Sequence, residues 1–177
     1  DPRTGNASLR IGTGTESTEA LLMAGEQVPG EELEEGMHIK VYVVDVRRLT
    51  RGPQVLISRT HPGLVKRLFE LEVPEIFDGT VEIKSIAREP GARSKIAVAS
   101  REANLDPVGA CVGVRGSRIQ NIVQELHGER IDIVVWSPEI STYARNALAP
   151  AVISRIVVDE AENLLEVTVP DDQLTSA

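Results

Sequence analysis

The sequence DPVGACVGVRGSRIQNIVQELHGERIDIVVW, residues 106–136, carries a helix, a glycine turn, a second helix and a strand in close succession. The turn is Gly113-Val114-Arg115-Gly116, and Gly128 ends the helix that follows it. Between them, apolar residues recur at the i, i+3, i+4, i+7 spacing of one buried helical stripe. From Arg130 to Trp136 apolar residues alternate, which is typical of a half-buried strand. The helical stripe consists of Ile119, Ile122, Val123 and Leu126.

A glycine-x-x-glycine turn ahead of a helix can bind the backbone of a nucleic acid. Without a Cβ at either glycine, a phosphate can approach the main chain, and N–H groups near Ser117 are free to bind it. Arg115 adds a positive charge inside the turn. KH domains hold about four nucleotides in this way. The motif alone is a weak signal, and the flanking helix and strand strengthen it.

The residues in and beside this turn are therefore the predicted RNA contacts. We expect the bases to lie in a groove formed by Cys111, Val112, Ile119 and residues 131–133. Val112 and Ile133 fit two interpretations, because each could line the groove or belong to the core. The predicted RNA-binding residues are Gly113, Val114, Arg115, Gly116, Ser117, Arg118, Val112 and Ile133.

The residues before the turn complete the pattern of a type II KH domain. Pro62-Gly63 marks a boundary, and an amphipathic helix follows and ends before Pro74. Two alternating strands, residues 80–87 and 95–100, are joined by a turn at residues 89–91. The order helix, strand, strand, helix, GxxG, helix, strand predicts a type II KH domain at residues 62–137.

Residues 1–61 have the pattern of a small β-barrel. Strands are predicted at residues 7–11, 19–23, 38–48 and 54–59, and the sequence favours antiparallel pairing among them. An S1-type OB fold fits if its first strand lies before Asp1. The acidic run Glu31–Glu35 is predicted to be a solvated loop.

Such a barrel can bind single-stranded RNA by stacking bases on aromatic rings. Tyr42 and His61 are the candidates, although Tyr42 could equally be packed. Arg47, Arg48, Arg51 and Arg59 fit either a backbone contact or a charged barrel rim. Arg93 and Lys95, near the glycine turn, are further candidate RNA contacts.

The tail repeats the opening of the KH pattern. Residues 141–148 predict a helix, and residues 153–158 and 164–169 predict two strands. Asp172–Ala177 aligns with Asp106–Cys111, so residues 138–177 are predicted to be the N-terminal part of a second KH domain, truncated before its GxxG loop. The fold class is therefore an OB-fold barrel followed by tandem type II KH domains.

Charge and composition restrict the classes of function. The net charge of −8 argues against indiscriminate nucleic-acid binding. The surplus acid lies at the end, since residues 137–177 carry 2 basic and 7 acidic groups. The three histidines and the single Cys111 show no metal-ligand or catalytic spacing, and the lone thiol fits a reducing cytoplasm. We therefore expect a non-enzymatic cytoplasmic protein without cofactor, metal or membrane span.

Several longer strings make the chain similar to a known family. SRTHP at residues 58–62, LEVPEI at 71–76, AREPGARSKIAV at 87–98 and DPVGACVG at 106–113 resemble the NusA family of transcription termination and antitermination factors. The resemblance implies an S1-type barrel followed by two KH domains. It also implies binding of nascent RNA and RNA polymerase, action on pausing, intrinsic termination and antitermination, and cooperation with other factors of these processes.

Two other classes of function share features with this sequence. A protein-interaction scaffold of the transcription machinery, with RNA contact secondary, is favoured by the acidic tail. An RNA-processing nuclease resembling polynucleotide phosphorylase also combines KH and S1-type modules, but in the opposite order, and no carboxylate cluster suited to two metals is present. The expected partners are single-stranded RNA, RNA polymerase and other transcription factors, bound by a monomer.

Overall fold

The computed structural model describes residues 1–174, so part of the aligned stretch Asp172–Ala177 lies outside the described residues. The N-terminal part is a four-stranded sheet in which the strand order is β1-β2-β4-β3. Its edges are β1 and β3. The predicted first barrel strand before Asp1 concerns residues outside this chain and stays a prediction. The strands are β1 (Ala7–Ile11), β2 (Thr18–Leu22), β3 (Tyr42–Leu49) and β4 (Gly52–Ser58).

The prediction of four antiparallel strands is wrong at one pairing. β1 with β2 and β3 with β4 are antiparallel hairpins, whereas β2 and β4 run parallel. A parallel pair needs a long crossover. Here the loop after β2 and all of β3 form that crossover. Alternation along a strand predicts which face is buried but does not give the direction of its neighbour.

The parallel pair forms the core of this sheet. Ala20 is opposite Val55, and Leu22 is opposite Ile57. All four are buried, because residues two apart on a strand face the same side. The core of the barrel is thus centred on β2 and β4, while the residues of β3 after Tyr42 are exposed.

The middle part has the predicted type II KH order. Its sheet has the order β5-β6-β7, with an antiparallel first pair and a parallel second pair. Helices cover one face of the sheet, and β7 is an edge strand. The elements are α1 (Pro62–Glu72), α2 (Pro74–Phe77), β5 (Val81–Glu89), β6 (Arg93–Ser100), α3 (Pro107–Val112), α4 (Ser117–Glu125) and β7 (Arg130–Val135).

Local signals set the ends of α1. The Nδ1 of His61 accepts a hydrogen bond from the N–H of Gly63 at 2.8 Å, and Pro62 is in the first turn, where a missing N–H costs nothing. Pro74 ends the helix because the residue before a proline avoids the α-helical region. The buried side of α1 packs on the KH core through Leu64, Val65, Leu68 and Phe69.

The last part repeats the helix and hairpin that open the KH unit. It consists of α5 (Ile140–Leu148), β8 (Arg155–Asp159) and β9 (Leu164–Thr168), and the two strands are antiparallel. The helix α5 lies against the edge strand β7. The amide of Asn146 donates a hydrogen bond to the carbonyl of Val135 at 3.0 Å. Among residues 1–174, the helices are too short or too polar to cross a membrane.

Candidate nucleic-acid interface

The glycine turn predicted to bind RNA joins α3 to α4 and is left-handed over most of its length. Gly113, Arg115 and Gly116 have φ angles of 77°, 54° and 74°. Glycine adopts a positive φ freely, whereas arginine pays roughly 1–2 kcal/mol for it. The surroundings of the turn therefore hold Arg115 in a conformation that it would not choose alone.

Some of the turn's amides are already bonded within it. The N–H of Gly116 donates to the carbonyl of Gly113 at 3.1 Å, and the N–H of Ser117 donates to the carbonyl of Val114. The first amides of a helix lack acceptors inside the helix. The first-turn donors of α4 left for a phosphate are thus those of Arg118 and Ile119, one residue later than the sequence suggests.

The two residues between the glycines project into solvent. Val114 is 81% exposed, and Arg115 is exposed as well. Within the described part of the chain, Arg115 belongs to no ion pair, whereas Arg93 and Arg118 each pair with a glutamate. An anion approaching the turn therefore meets an unneutralised guanidinium.

Arg118 lies beneath the turn and contacts protein groups. Its Nη1 donates to the carbonyl of Ala110 at 2.6 Å and to the Oε2 of Glu75 at 2.9 Å. Its stem fills the space beside Gly113, where an added Cβ would come within 2.7 Å of the Arg118 Cγ. The guanidinium of Arg118 is thus engaged by α3 and α2, unlike that of Arg115.

Val112 and Ile133, the two residues with an open assignment, are both half-buried. Ile133 packs against the KH core and also lines a groove of about 630 Å³ beside β7. Cys111 and Ile131 are buried and belong to the core, so they do not line the predicted groove. The groove is lined by apolar side chains and by Arg93, Lys95, Arg130, Asp132 and Asn146.

Arg93 and Lys95 lie in this groove, on β6. The Nε of Arg93 is 3.1 Å from Glu89, in a pair that is well exposed to water. The ammonium of Lys95 donates to the carbonyl of Ala147 at the end of α5. A phosphate could bind Arg93 at little cost in free energy, because the ion pair of Arg93 is exposed. The ammonium of Lys95 would first have to break its hydrogen bond to α5.

The aromatic pair predicted on the barrel lies at the junction with the KH unit. The rings of Tyr42 and His61 are stacked with centroids 4.5 Å apart and an angle of 12° between their planes. Tyr42 is half-buried against the KH core, and a Cβ at Gly63 would come within 2.7 Å of its ring. One face of each ring is therefore occupied by the other.

Arg47 and Arg48 are exposed on the edge strand β3. The Nε of Arg47 is 3.3 Å from Asp45, and both side chains are more than half exposed. Adjacent residues of a strand point to opposite faces, so the two arginines do not act on the same side of the sheet. The structure places them on the sheet of the barrel, whereas the glycine turn joins two helices of the KH unit.

The amino-acid sequence of this part of the chain matches that of known proteins. Residues 59–136 match the model described as the NusA-like first KH domain. The transcription termination/antitermination protein NusA of Halalkalibacterium halodurans is 57% identical over 159 residues, which cover 90% of this chain and 42% of that protein.

The chain is homologous to the NusA proteins.

Other NusA proteins give the same result. The NusA of Bacillus subtilis is 54% identical over 90% of this chain and 43% of its own length. The NusA of Thermus thermophilus is 46% identical over 96% of this chain and 43% of its own length. The chain therefore spans less than half the length of these NusA relatives. The fold class inferred from the sequence, an S1-type barrel followed by KH units, is confirmed.

Sequence reasoning misplaced the first residue of the NusA-like KH match. Arg59 was assigned to a barrel rim or an RNA backbone contact, but its side chain is fully buried. Its guanidinium donates to both carboxylate oxygens of Glu31, at 2.8 and 2.7 Å, and to the carbonyls of Lys40 and Glu125. The prediction that Glu31 lies in a solvated loop is wrong for the same reason, since its side chain is only 3% exposed.

A second buried ion pair of the NusA-like KH unit was missed altogether. Glu129 accepts hydrogen bonds from Arg88 at 3.0–3.1 Å, from the N–H of Gly91 at 2.8 Å and from the hydroxyl of Ser94 at 3.0 Å. It fixes the β5–β6 turn to the start of β7. The available signal was a glutamate directly after the helix-ending Gly128, where a half-buried strand begins.

Cys111 of the NusA-like unit is a core thiol. It is fully buried in α3, and this burial raises its pKa to about 12. Residues 1–174 contain no group of three or more His, Cys, Asp or Glu side chains that could hold a metal ion.

Proposed function

We propose that this chain is the RNA-binding part of a transcription elongation factor. It would bind nascent single-stranded RNA and RNA polymerase, and so modulate pausing, intrinsic termination and antitermination. The observation that carries the proposal is the exposed, positively charged glycine turn in a chain whose relatives are named transcription termination/antitermination proteins. The chain would act without catalysis, cofactor or metal, as a cytoplasmic monomer together with other factors.

The turn supplies the grip on the RNA backbone. Gly116 leaves room for a phosphate, whereas the space beside Gly113 holds the stem of Arg118. The first-turn amides of α4 donate to the phosphate, and Arg115 neutralises it. Val114 would pack on a ribose or a base. The proposal keeps Ser117 beside these residues and assigns the groove beside β7, which Ile133 lines, to the bases. Val112, at the end of α3, stays a further proposed contact.

The same unit explains why other domains are needed. One KH domain holds about four nucleotides, and so few contacts give weak affinity. Neighbouring units that act on one strand raise the local concentration of RNA. Arg93 and Lys95 in the groove beside α5, and Tyr42, His61, Arg47 and Arg48 on the barrel, are the proposed further contacts. In this proposal residues 1–61, 62–137 and 138–177 are the three units.

The test is a charge change in the turn. Replacing Val114 and Arg115 with Asp should lower the affinity for a fluorescent single-stranded RNA more than tenfold, because carboxylates would face the phosphates. The melting temperature should stay nearly constant, since both side chains are exposed. The matched control replaces the exposed Val152 and Arg155 with Asp, which changes the net charge equally, and should bind within about twofold of the original chain.

If the folded Val114→Asp/Arg115→Asp protein bound the RNA undiminished, the turn would not be the RNA site. A uniform loss in both double variants would mean that net charge alone governs binding.

A second candidate is a protein-interaction scaffold with RNA contact secondary. It is favoured by the acidic excess of residues 137–177, which carry 2 basic and 7 acidic groups. The two functions differ in a polymerase capture experiment. The scaffold predicts that the Val114→Asp/Arg115→Asp protein keeps both RNA and polymerase binding, and that polymerase binding falls only when residues elsewhere are changed. A crosslinking map of the chain in a paused transcription complex would identify the polymerase surface.

A further inference from the structure

Arg118 joins three separate parts of the structure at the glycine turn. Its guanidinium contacts the carbonyl of Ala110 in α3 and the carboxylate of Glu75 in α2, at 2.6 and 2.9 Å. Its stem packs against Gly113, with the Cγ at 2.7 Å from the position of an added Cβ. One side chain thus bridges α2, α3 and the first glycine of the turn.

Each of these contacts supplies something that the turn lacks. The last carbonyls of α3 have no donor inside that helix, and Arg118 satisfies the one at Ala110. The backbone of Arg115 has a left-handed conformation, which is unfavourable for an arginine. Neighbouring groups therefore have to stabilise the turn in this conformation. The Arg118–Glu75 pair is only 29% exposed on each side, so water weakens it less than it weakens a fully exposed pair.

We propose that Arg118 and Glu75 form a clamp that holds the turn in its RNA-binding shape, with Arg118 as a positioning residue rather than a phosphate ligand. This inference rests on the proposed function of the turn. It reassigns Arg118 from the set of direct contacts, and it adds Glu75, which has the wrong charge to bind RNA.

The charge of Glu75 gives a test in which the two roles of Arg118 predict opposite signs. If Arg118 binds phosphate, Glu75 competes with the RNA, and Glu75→Gln should tighten binding. If Arg118 is a clamp, Glu75→Gln loosens the turn and should weaken binding by about two- to fivefold, the range expected for losing one modest ion pair.

The matched control is Glu72→Gln. Glu72 is on α1 and accepts a hydrogen bond from Asn121 of α4 at 3.1 Å, so this variant removes the same charge from the same neighbourhood. The clamp predicts that Glu72→Gln binds RNA as well as the original chain or better, because only a general repulsion is removed.

The salt dependence separates the roles a second time. The binding constant falls as salt rises, and losing one phosphate contact on a single strand makes the slope of log K against log salt less steep by about 0.7. Arg115→Gln should show that decrease. Arg118→Gln should bind more weakly with the slope of the original chain, since it loses shape and not a phosphate contact.

The outcomes are distinct. Tighter binding of the Glu75→Gln protein, a lower salt slope for Arg118→Gln, or lower melting temperatures with unchanged affinity would each overturn the clamp. If the original chain did not bind RNA, or if Val114→Asp/Arg115→Asp bound it normally, the proposed function itself would fail. Binding that is lost in the turn variant but not weakened by Glu75→Gln would overturn the clamp alone.

Discussion

Replacing Arg59 with Met should strongly destabilise the chain. The Arg59 guanidinium donates five hydrogen bonds, to Glu31, Lys40 and Glu125. Methionine fills much of the same volume, because its unbranched side chain adapts to irregular gaps. The change therefore removes the charge and its hydrogen bonds while leaving most of the packing.

The size of the effect follows from burial. The side chains of Arg59 and Glu31 are 0% and 3% exposed. Arg59→Met therefore leaves a carboxylate that water cannot solvate and whose remaining side-chain partner is the Nδ1 of His127, at 3.3 Å. Breaking one side of a buried pair costs about 3–5 kcal/mol. Replacing Glu31 with Met as well should recover part of this loss, because the double variant has no unpaired buried charge.

Urea unfolding followed by circular dichroism measures this free energy. Arg47→Met is the matched control, since Arg47 pairs with Asp45 on the surface of the same sheet and should lose about 0–1 kcal/mol. A loss for Arg59→Met no larger than that of the control would show that the Arg59–Glu31 pair is hydrated, and would refute the reasoning.

Three further predictions concern the KH unit. Glu129→Ala should lower the free energy of unfolding in urea by about 3–5 kcal/mol, because it leaves the buried guanidinium of Arg88 without its carboxylate partner. A loss below about 1 kcal/mol would contradict this. Cys111, with its pKa raised to about 12 by burial, should resist iodoacetamide at pH 8 in the folded protein and react in urea, as read by mass spectrometry; rapid native alkylation would contradict its burial. Hydrogen bonds from Arg101 and Lys84 lower the pKa of Glu82 to about 2, so its pairing contributes stability at neutral pH that is lost as the pH falls from about 4.5 to about 2. The melting temperature of Glu82→Gln should therefore lie slightly below that of the original chain at pH 7, and the two should become equal near pH 2. A difference in melting temperature that grew as the pH fell would contradict a lowered pKa for Glu82.

The sequence predicted the helices and strands better than it predicted how they pair and pack. The stripe on α4 was predicted correctly, because the pattern is local and arises from one buried face. The alternation predicted for β7 holds at Ile131 and Ile133 but is wrong at Val135, which is exposed. The order of elements around the glycine turn then gave the KH topology. The parallel pairing of β2 and β4 was missed, because strand direction depends on the path of a long connection.

The contacts of the charged residues also depend on the tertiary structure, which the local sequence does not show. Arg59 and Arg115 carry the same group, but one is buried and the other is exposed, and no local pattern separates them. The stacking of Tyr42 on His61 also depends on how the barrel meets α1. Arg118 follows the glycine turn in sequence, which suggested a phosphate contact, but its direction is set by Glu75 and Ala110.

The separation between the partners of Arg59 has a consequence during synthesis on the ribosome. Glu125 is 66 residues beyond Arg59, whereas Glu31 is 28 residues before it. At about 5–20 residues per second, Arg59 is made roughly 3–13 s before Glu125. Of its two carboxylate partners, the nascent chain therefore has Glu31 first, and the contact of Arg59 with α4 can form only after Glu125 has been made.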